Sequence, residues 1–235
     1  SWKGLAVSNG VNPFYGELDP YWMSANAIDE ALRNIVSVGG DIDQCAILDN
    51  FCWGNTNDPE IMGGLVRCAE GCRDFAVQYR VPFISGKDSL NNTWRKPDGQ
   101  IVSIPGTIVI SAMSVVRDVR KCVTMDLKRA WNVIALVGET CDEFGGSHFN
   151  RVTGHTGGNV PKVDSARSRK MMLALNRAMN KGTVRACHDI SEGGLAVSIS
   201  EMCIAGNLGA ELDLSKIVLG EISAYRKTIA ALFSE

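Results

Sequence analysis

PYWMSANAIDEALRNIVSVGGD, residues 20–41, places Ala25, Ile28, Leu32, Ile35 and Val36 at the spacing of one helix face. Gly39 and Gly40 close that helix, because its end needs a residue free to turn left-handed. The next run, Gln44 to Leu48, is short and apolar and leads into Asp49-Asn50, which predicts a buried strand. A second helix is expected from about Pro59 to Tyr79, with Pro59 in the first turn, where its missing N–H costs no bond. Val81 to Ile84 reads as another strand. Strand and helix in alternation is the rhythm of an α/β fold.

Working outward, SGKDSLNNTW (85–94) leaves that strand as a polar loop, and Lys96-Pro97-Asp98-Gly99 is a hairpin turn between two extended stretches. Thr107 to Val116 is apolar and β-branched, a strand, after which the charged stretch Arg117 to Arg129 breaks the pattern. A domain boundary is expected near residue 120, dividing the chain into 1–119 and 120–235. The second part predicts a strand at Trp131–Val137, a turn-rich stretch from Gly138 to Gly158 and a helix from about Pro161 to Asn180. A strand follows at Thr183–Cys187, a helix at Leu195–Ala205 and the start of a strand at Ala210–Leu214. A further helical stretch runs to LFSE without a cap or polar tail, so the sequence is expected to stop inside a fold.

The 235 residues are 45% hydrophobic and 21% charged, enough for one large domain or two smaller ones. A net charge of -2 with mixed signs offers no basic field, so nucleic acid is not an expected partner. No apolar run approaches the roughly 18 to 20 residues that cross a bilayer, and SWKGLAVSNG lacks the charged and apolar regions of a leader. The expectation is a cytoplasmic protein without membrane contact. The eight cysteines are dispersed. Cys45, Cys122, Cys187 and Cys203 lie in apolar runs, Cys68 and Cys72 are one helical turn apart, and no CxxC pair occurs, which predicts reduced, mostly buried thiols.

Three places carry residues able to do chemistry. Glu30 and Asn34 are four apart, on one helix face directed away from the apolar stripe, where they serve either as hard oxygen ligands for Mg²⁺ or as a solvated face. Gly86, Lys87, Asp88 and Ser89 follow a strand and combine a glycine, a cation and a carboxylate, a phosphate-holding loop or an ordinary turn; the P-loop spacing is absent. His188-Asp189-Ile190-Ser191-Glu192-Gly193-Gly194 lies where a strand is expected to give way to a helix, so Asp189 is either a metal ligand or part of a plain helix N-terminus capped by Asp189 or Ser191. There is no GxCxG elbow to accompany His148, His155 or His188, so no glutaminase nucleophile is supported, and ammonia would have to come from another domain or subunit.

Five segments in order, DPYWMSANAIDEALRNIVSVGGD, AILDNFCWGN, PFISGKDSLNN, ALVGETCDEFGGSHF and ACHDISEGGLAVSISEMCIAGNLGAEL, resemble the synthetase half of the phosphoribosylformylglycinamidine synthases. These enzymes sit within the aminoimidazole ribonucleotide synthetase-like superfamily, with selenophosphate synthetase among its other members. The resemblance implies a ferredoxin-like α/β A-type domain lacking its leading strand, then an α/β B-type domain lacking its C-terminal part. In the single-chain members this A/B unit is duplicated, and the segments here are similar to the second copy, whose A part pairs with that of the first. The first copy carries a catalytic histidine motif, which is lacking here around Asp19-Pro20-Tyr21.

The resemblance further implies an auxiliary Mg²⁺ and ATP or ADP site, with Glu30, Asn34 and Asp189 as metal ligands and Gly86, Lys87, Asp88 and Ser89 beside the nucleotide. A further aspartate and lysine of that site would precede Ser1. The implied parent reaction is the ATP-dependent ligation of formylglycinamide ribonucleotide with ammonia from glutamine, a step of purine synthesis. Its implied partners are that ribonucleotide, a glutaminase and the first A/B half.

Overall fold

The computed structural model describes residues 1–217, 219 and 226–235. Its first part is a four-stranded mixed sheet with two long helices on one face. The strands are β1 (Gly4–Gly10), β2 (Cys45–Cys52), β3 (Phe83–Ser89) and, after a hairpin of β4 (Thr93–Arg95) and β5 (Ile101–Ser103), β6 (Thr107–Val116). Their order is β1-β6-β2-β3, with β6 antiparallel to both β1 and β2, and β3 parallel to β2. The sequence reading did not anticipate β1, whose alternation is short and ends in polar residues. The 96–99 turn and β6 form as expected.

After the single turn of α1 (Pro13–Gly16), α2 runs from Pro20 to Ser37 and α3 from Pro59 to Tyr79. Each starts on an aspartate followed by proline: Asp19 accepts from the N–H groups of Tyr21 and Trp22, and Asp58 from that of Glu60. Gly39 in the left-handed region lies just past the end of α2, and left-handed Arg80 stops α3. Ile28, Leu32 and Ile35 are wholly buried, each contributing about 1.5–3 kcal/mol of transfer free energy. The helices cross closely at Gly71, where a β-carbon would run into Ser24 Oγ and the Tyr21 carbonyl.

The second part is helical among the described residues: α4 (His148–Thr153), α5 (Ser165–Asn180), α6 (Gly194–Gly206) and α7 (Lys227–Phe233). Helix α5 begins at its cap Asp164 rather than at Pro161, and packs over α2 and α3 as a third layer. Buried Asp29 on α2 ties the layers together, taking hydrogen bonds from the hydroxyls of Tyr79 on α3 and Ser168 on α5 (the latter 2.6 Å). Asn26 Nδ2 on α2 also reaches the Pro161 carbonyl at 2.7 Å, and Asn176 Nδ2 on α5 the Gly40 carbonyl at 2.8 Å.

Several expectations need correction. Residues 131–137, 183–187 and 210–214 form no strand: among the described residues each apolar run has no neighbour to exchange ladder bonds with, and Trp131 is fully exposed. Among the described residues of this part only an isolated bridge, Thr140 to Leu219, is extended pairing. Residues 85–89 are strand rather than loop, because β3 stays in register with β2 through Cys52 and Ser89. The cysteines are free as expected, but only Cys45, Cys68 and Cys72 are buried, while Cys122 and Cys141 are exposed. The part of the last helical stretch over 220–225 lies outside the described residues.

Candidate functional site

Where β1 runs out, Gly10 presses against α2 so closely that a β-carbon would meet the Ala27 carbonyl. The chain then turns back over Glu30. Its Oε2 accepts from Val11 N at 2.9 Å and Asn12 Nδ2 at 2.8 Å. Glu30 is therefore buried, at 6% exposure, rather than part of a solvated face. Burial, with Glu192 adding like charge, pushes its carboxyl up to about 7 against two opposing hydrogen bonds and Arg33. One turn on, Asn34 reaches toward the Asn9 carbonyl at 3.5 Å through Nδ2, leaving its amide oxygen outside that contact.

Asp189 arrives from the second part. Its Oδ1 meets His188 Nδ1 at 3.0 Å, while Oδ2 takes the Ser191 hydroxyl and lies 3.7 Å from Arg33. Burial works against this carboxylate, yet the His188 and Ser191 hydrogen bonds and the Arg33 charge hold it below its ordinary value. His188 is raised in turn, chiefly by its bond to Asp189, and its Nε2 meets Glu201 at 2.9 Å. The capping role is not taken by Asp189 or Ser191. Gly193 caps α6 without a side-chain bond, and its N–H donates to the Glu235 carboxylate at 2.8 Å.

Arg33 is the residue the sequence reading missed here. Its Nε donates to Asp29 at 2.7 Å, one helical turn back, and its Nη1 to the Ile190 carbonyl. The Asp29–Arg33 spacing of four was the visible signal. Arg33 lies three residues on from Glu30 and 3.7 Å from Asp189, and both carboxyls feel its charge.

Gly86, Lys87, Asp88 and Ser89 stand apart from this cluster. Gly10, Ile110, Asp49 and Gly86 form one row across the sheet, with β1 and β3 at its two edges. Three strand spacings separate them, about 14 Å. Gly86 makes room for the Asp49 carboxylate, and Lys87 Nζ contacts Ser89 Oγ. Among the described residues neither Lys87 nor Asp88 bonds to Glu30, Asn34 or Asp189. Both groups nevertheless lie toward the same end of the sheet, the first just past the C-terminus of β1 and the second in the last four residues of β3.

The AIR synthase related N-terminal domain matches residues 3–115 and the corresponding C-terminal domain residues 132–235. The chain belongs to the AIR synthase related proteins. Phosphoribosylformylglycinamidine synthase subunit PurL of Rhodopseudomonas palustris is 40% identical over 212 residues, 90% of this chain. The PurL subunit of Methanothrix thermoacetophila is 34% identical over 223 residues, 91% of this chain. The chain spans 28% of the length of each of these relatives. In fold it is similar to T. maritima PurL complexed with FGAR (TM-score 0.75, 21% identity, 99% of this chain and 36% of that one). The same protein complexed with ATP gives a TM-score of 0.73 at 20% identity, over 100% of this chain and 34% of that one. The mixed α/β architecture is thus that of an AIR synthase related pair of domains.

The donor set in this AIR synthase related chain suits a hard cation in part. Glu30 Oε1 and the Asn34 amide oxygen are outside the hydrogen bonds just described, whereas both Asp189 oxygens are engaged. Among the described residues no three His, Cys, Asp or Glu side chains cluster to hold a metal by themselves. A Mg²⁺ ion here would rest on one or two carboxylates, an amide and the oxygens of water or phosphate, its usual manner of binding. No described helix is long and apolar enough to cross a membrane.

Proposed function

We propose that this chain is part of a formylglycinamidine ribonucleotide synthase, in which ATP activates the amide of formylglycinamide ribonucleotide for attack by ammonia from a glutaminase. The observation that carries the reading is the 40% identity to a PurL subunit across 90% of the chain. Within it, residues 1–119 act as the A-type and 120–235 as the B-type domain. Glu30, Asn34 and Asp189 hold Mg²⁺ against a nucleoside di- or triphosphate, and Gly86, Lys87, Asp88 and Ser89 meet a more distant part of the same extended ligand. The ion neutralises phosphate charge, while the buried position of Glu30 and Asp189 keeps water from competing.

The chain alone does not complete the reaction in this reading. The absence of a histidine around Asp19-Pro20-Tyr21 favours a half that holds its nucleotide as a structural support beside a catalytic first half. The open sheet face supports such a partner: Leu5, Val7 and Val115 are exposed there, with Met113 and Leu48 in the adjoining rows.

Calorimetric titration with ADP tests the site. Binding is expected only with Mg²⁺, and Asp189→Asn is expected to lose at least tenfold in affinity while its circular dichroism stays that of the wild type. An Asp189→Asn protein that binds Mg-ADP as the wild type does would remove Asp189 from the site. Turnover of formylglycinamide ribonucleotide by this chain alone, with ATP and ammonia, would overturn the supporting role.

A further inference from the structure

Asp189 lies on a short connection, 188–193, that has no ladder to fix it. Its position relative to α2 depends on what grips it. One grip is internal, from His188 and Ser191, and travels with the connection. Ser198 of α6 also donates to the Asp189 carbonyl at 3.0 Å. Those bonds fix the shape of the segment but not its distance from Glu30. Two links come from outside: Glu235, which accepts the Tyr15 hydroxyl of α1, takes the Gly193 N–H at the far end of the connection, and Arg33 of α2 reaches both the Asp189 carboxylate and the Ile190 carbonyl.

Arg33 is itself anchored. Asp29 Oδ2 takes its Nε, and Asp29 Oδ1 takes the hydroxyls of Tyr79 and Ser168, so three helices fix the carboxylate that aims the guanidinium. The planar fork of arginine suits this two-sided task, because one edge can stay on Asp29 while the other reaches across. A lysine has one point charge and can satisfy only one side at a time.

We propose that Arg33 is a positioning residue that holds the 188–193 connection, and with it Asp189, against Glu30 on α2. Resting on the function proposed above, it fixes the separation of two ligands that come from different domains and so sets how tightly Mg-nucleotide is bound. It touches neither ion nor phosphate. Its charge is spent on Asp29 and Asp189, and its contribution is the geometry of the pair.

Amide hydrogen exchange and Mg-ADP titration on the full 235-residue chain separate this role from simple stabilisation. In Arg33→Gln, amides of 188–193 are expected to exchange about tenfold faster while those of the α2 interior keep their wild-type rates, a tenfold change corresponding to about 1.4 kcal/mol of lost local protection. Mg-ADP affinity of the same protein should fall about tenfold, with Arg33→Lys recovering part of both effects. Should Arg33→Gln unfold, Arg33→Lys and Tyr79→Phe carry the test: loosening of 188–193 by the first without loss of α2 protection supports positioning. Unchanged exchange at 188–193 in folded Arg33→Gln or Arg33→Lys overturns it. A wild-type chain that binds no Mg-ADP would instead sink the nucleotide reading, and the exchange result would still decide the role of Arg33.

Discussion

Glu30 has its folded carboxyl near 7 against an ordinary 4.5, so the fold prefers it protonated. The stability it contributes is present in full below about 4.5 and is lost as pH rises through about 7, at a cost of about 3 kcal/mol by pH 8. Glu30→Gln is therefore expected to melt with the wild type near pH 4.5 and several degrees above it at pH 8; equal melting temperatures throughout would exclude the buried charge. A cation that needs the ionised carboxylate should bind more tightly as pH rises over the same window. Glu30 and Asp189 were singled out in the sequence through their segments, and in the structure Arg33, three residues on from Glu30, lies 3.7 Å from Asp189. Asp29, Arg33, Tyr79 and Ser168 were not. Their roles depend on three helices meeting, and a single-helix spacing shows only the first link, from Asp29 to Arg33.

Among the elements, α2 and α3 were readable almost to the residue because an aspartate, a proline and an apolar stripe agree on where each helix lies. The apolar runs of the second part misled, since such a run forms a strand only where a partner exists, and among the described residues these have none. The 85–89 segment erred in the other direction: its glycine, charges and serines read as a loop, but pairing with β2 overrode composition. Packing between the long helices makes a separate claim. Gly71→Ala would place a methyl on Ser24 Oγ and on the Tyr21 carbonyl, which cannot rotate away. The helices must part, and a loss of about 1–3 kcal/mol is expected in urea unfolding. Gly63→Ala, with nothing within 4 Å of the new methyl, serves as control and should be neutral or slightly stabilising.

For the molecule as a whole, the sheet is covered on one face by α2 and α3 and, among the described residues, left open on the other. The open face should self-associate when no partner half is supplied. Val7 is 71% exposed on it, so Val7→Asp is expected to leave circular dichroism unchanged and to shift light scattering toward the monomer. A wild-type chain that is already monomeric would count against docking through this face. The Asp29 junction also bears on how the protein is made. The sheet and its two helices are complete once Val116 has been synthesised, but Ser168 follows about fifty residues later, an interval of seconds at about 5–20 residues per second. A nascent chain thus holds Asp29 in a layer still open to water, served by Tyr79 and Arg33 alone, and only the arrival of α5 seals it. The order of translation lets the first part fold around a solvated carboxylate, and the desolvation of that charge is deferred until its last donor has emerged from the ribosome.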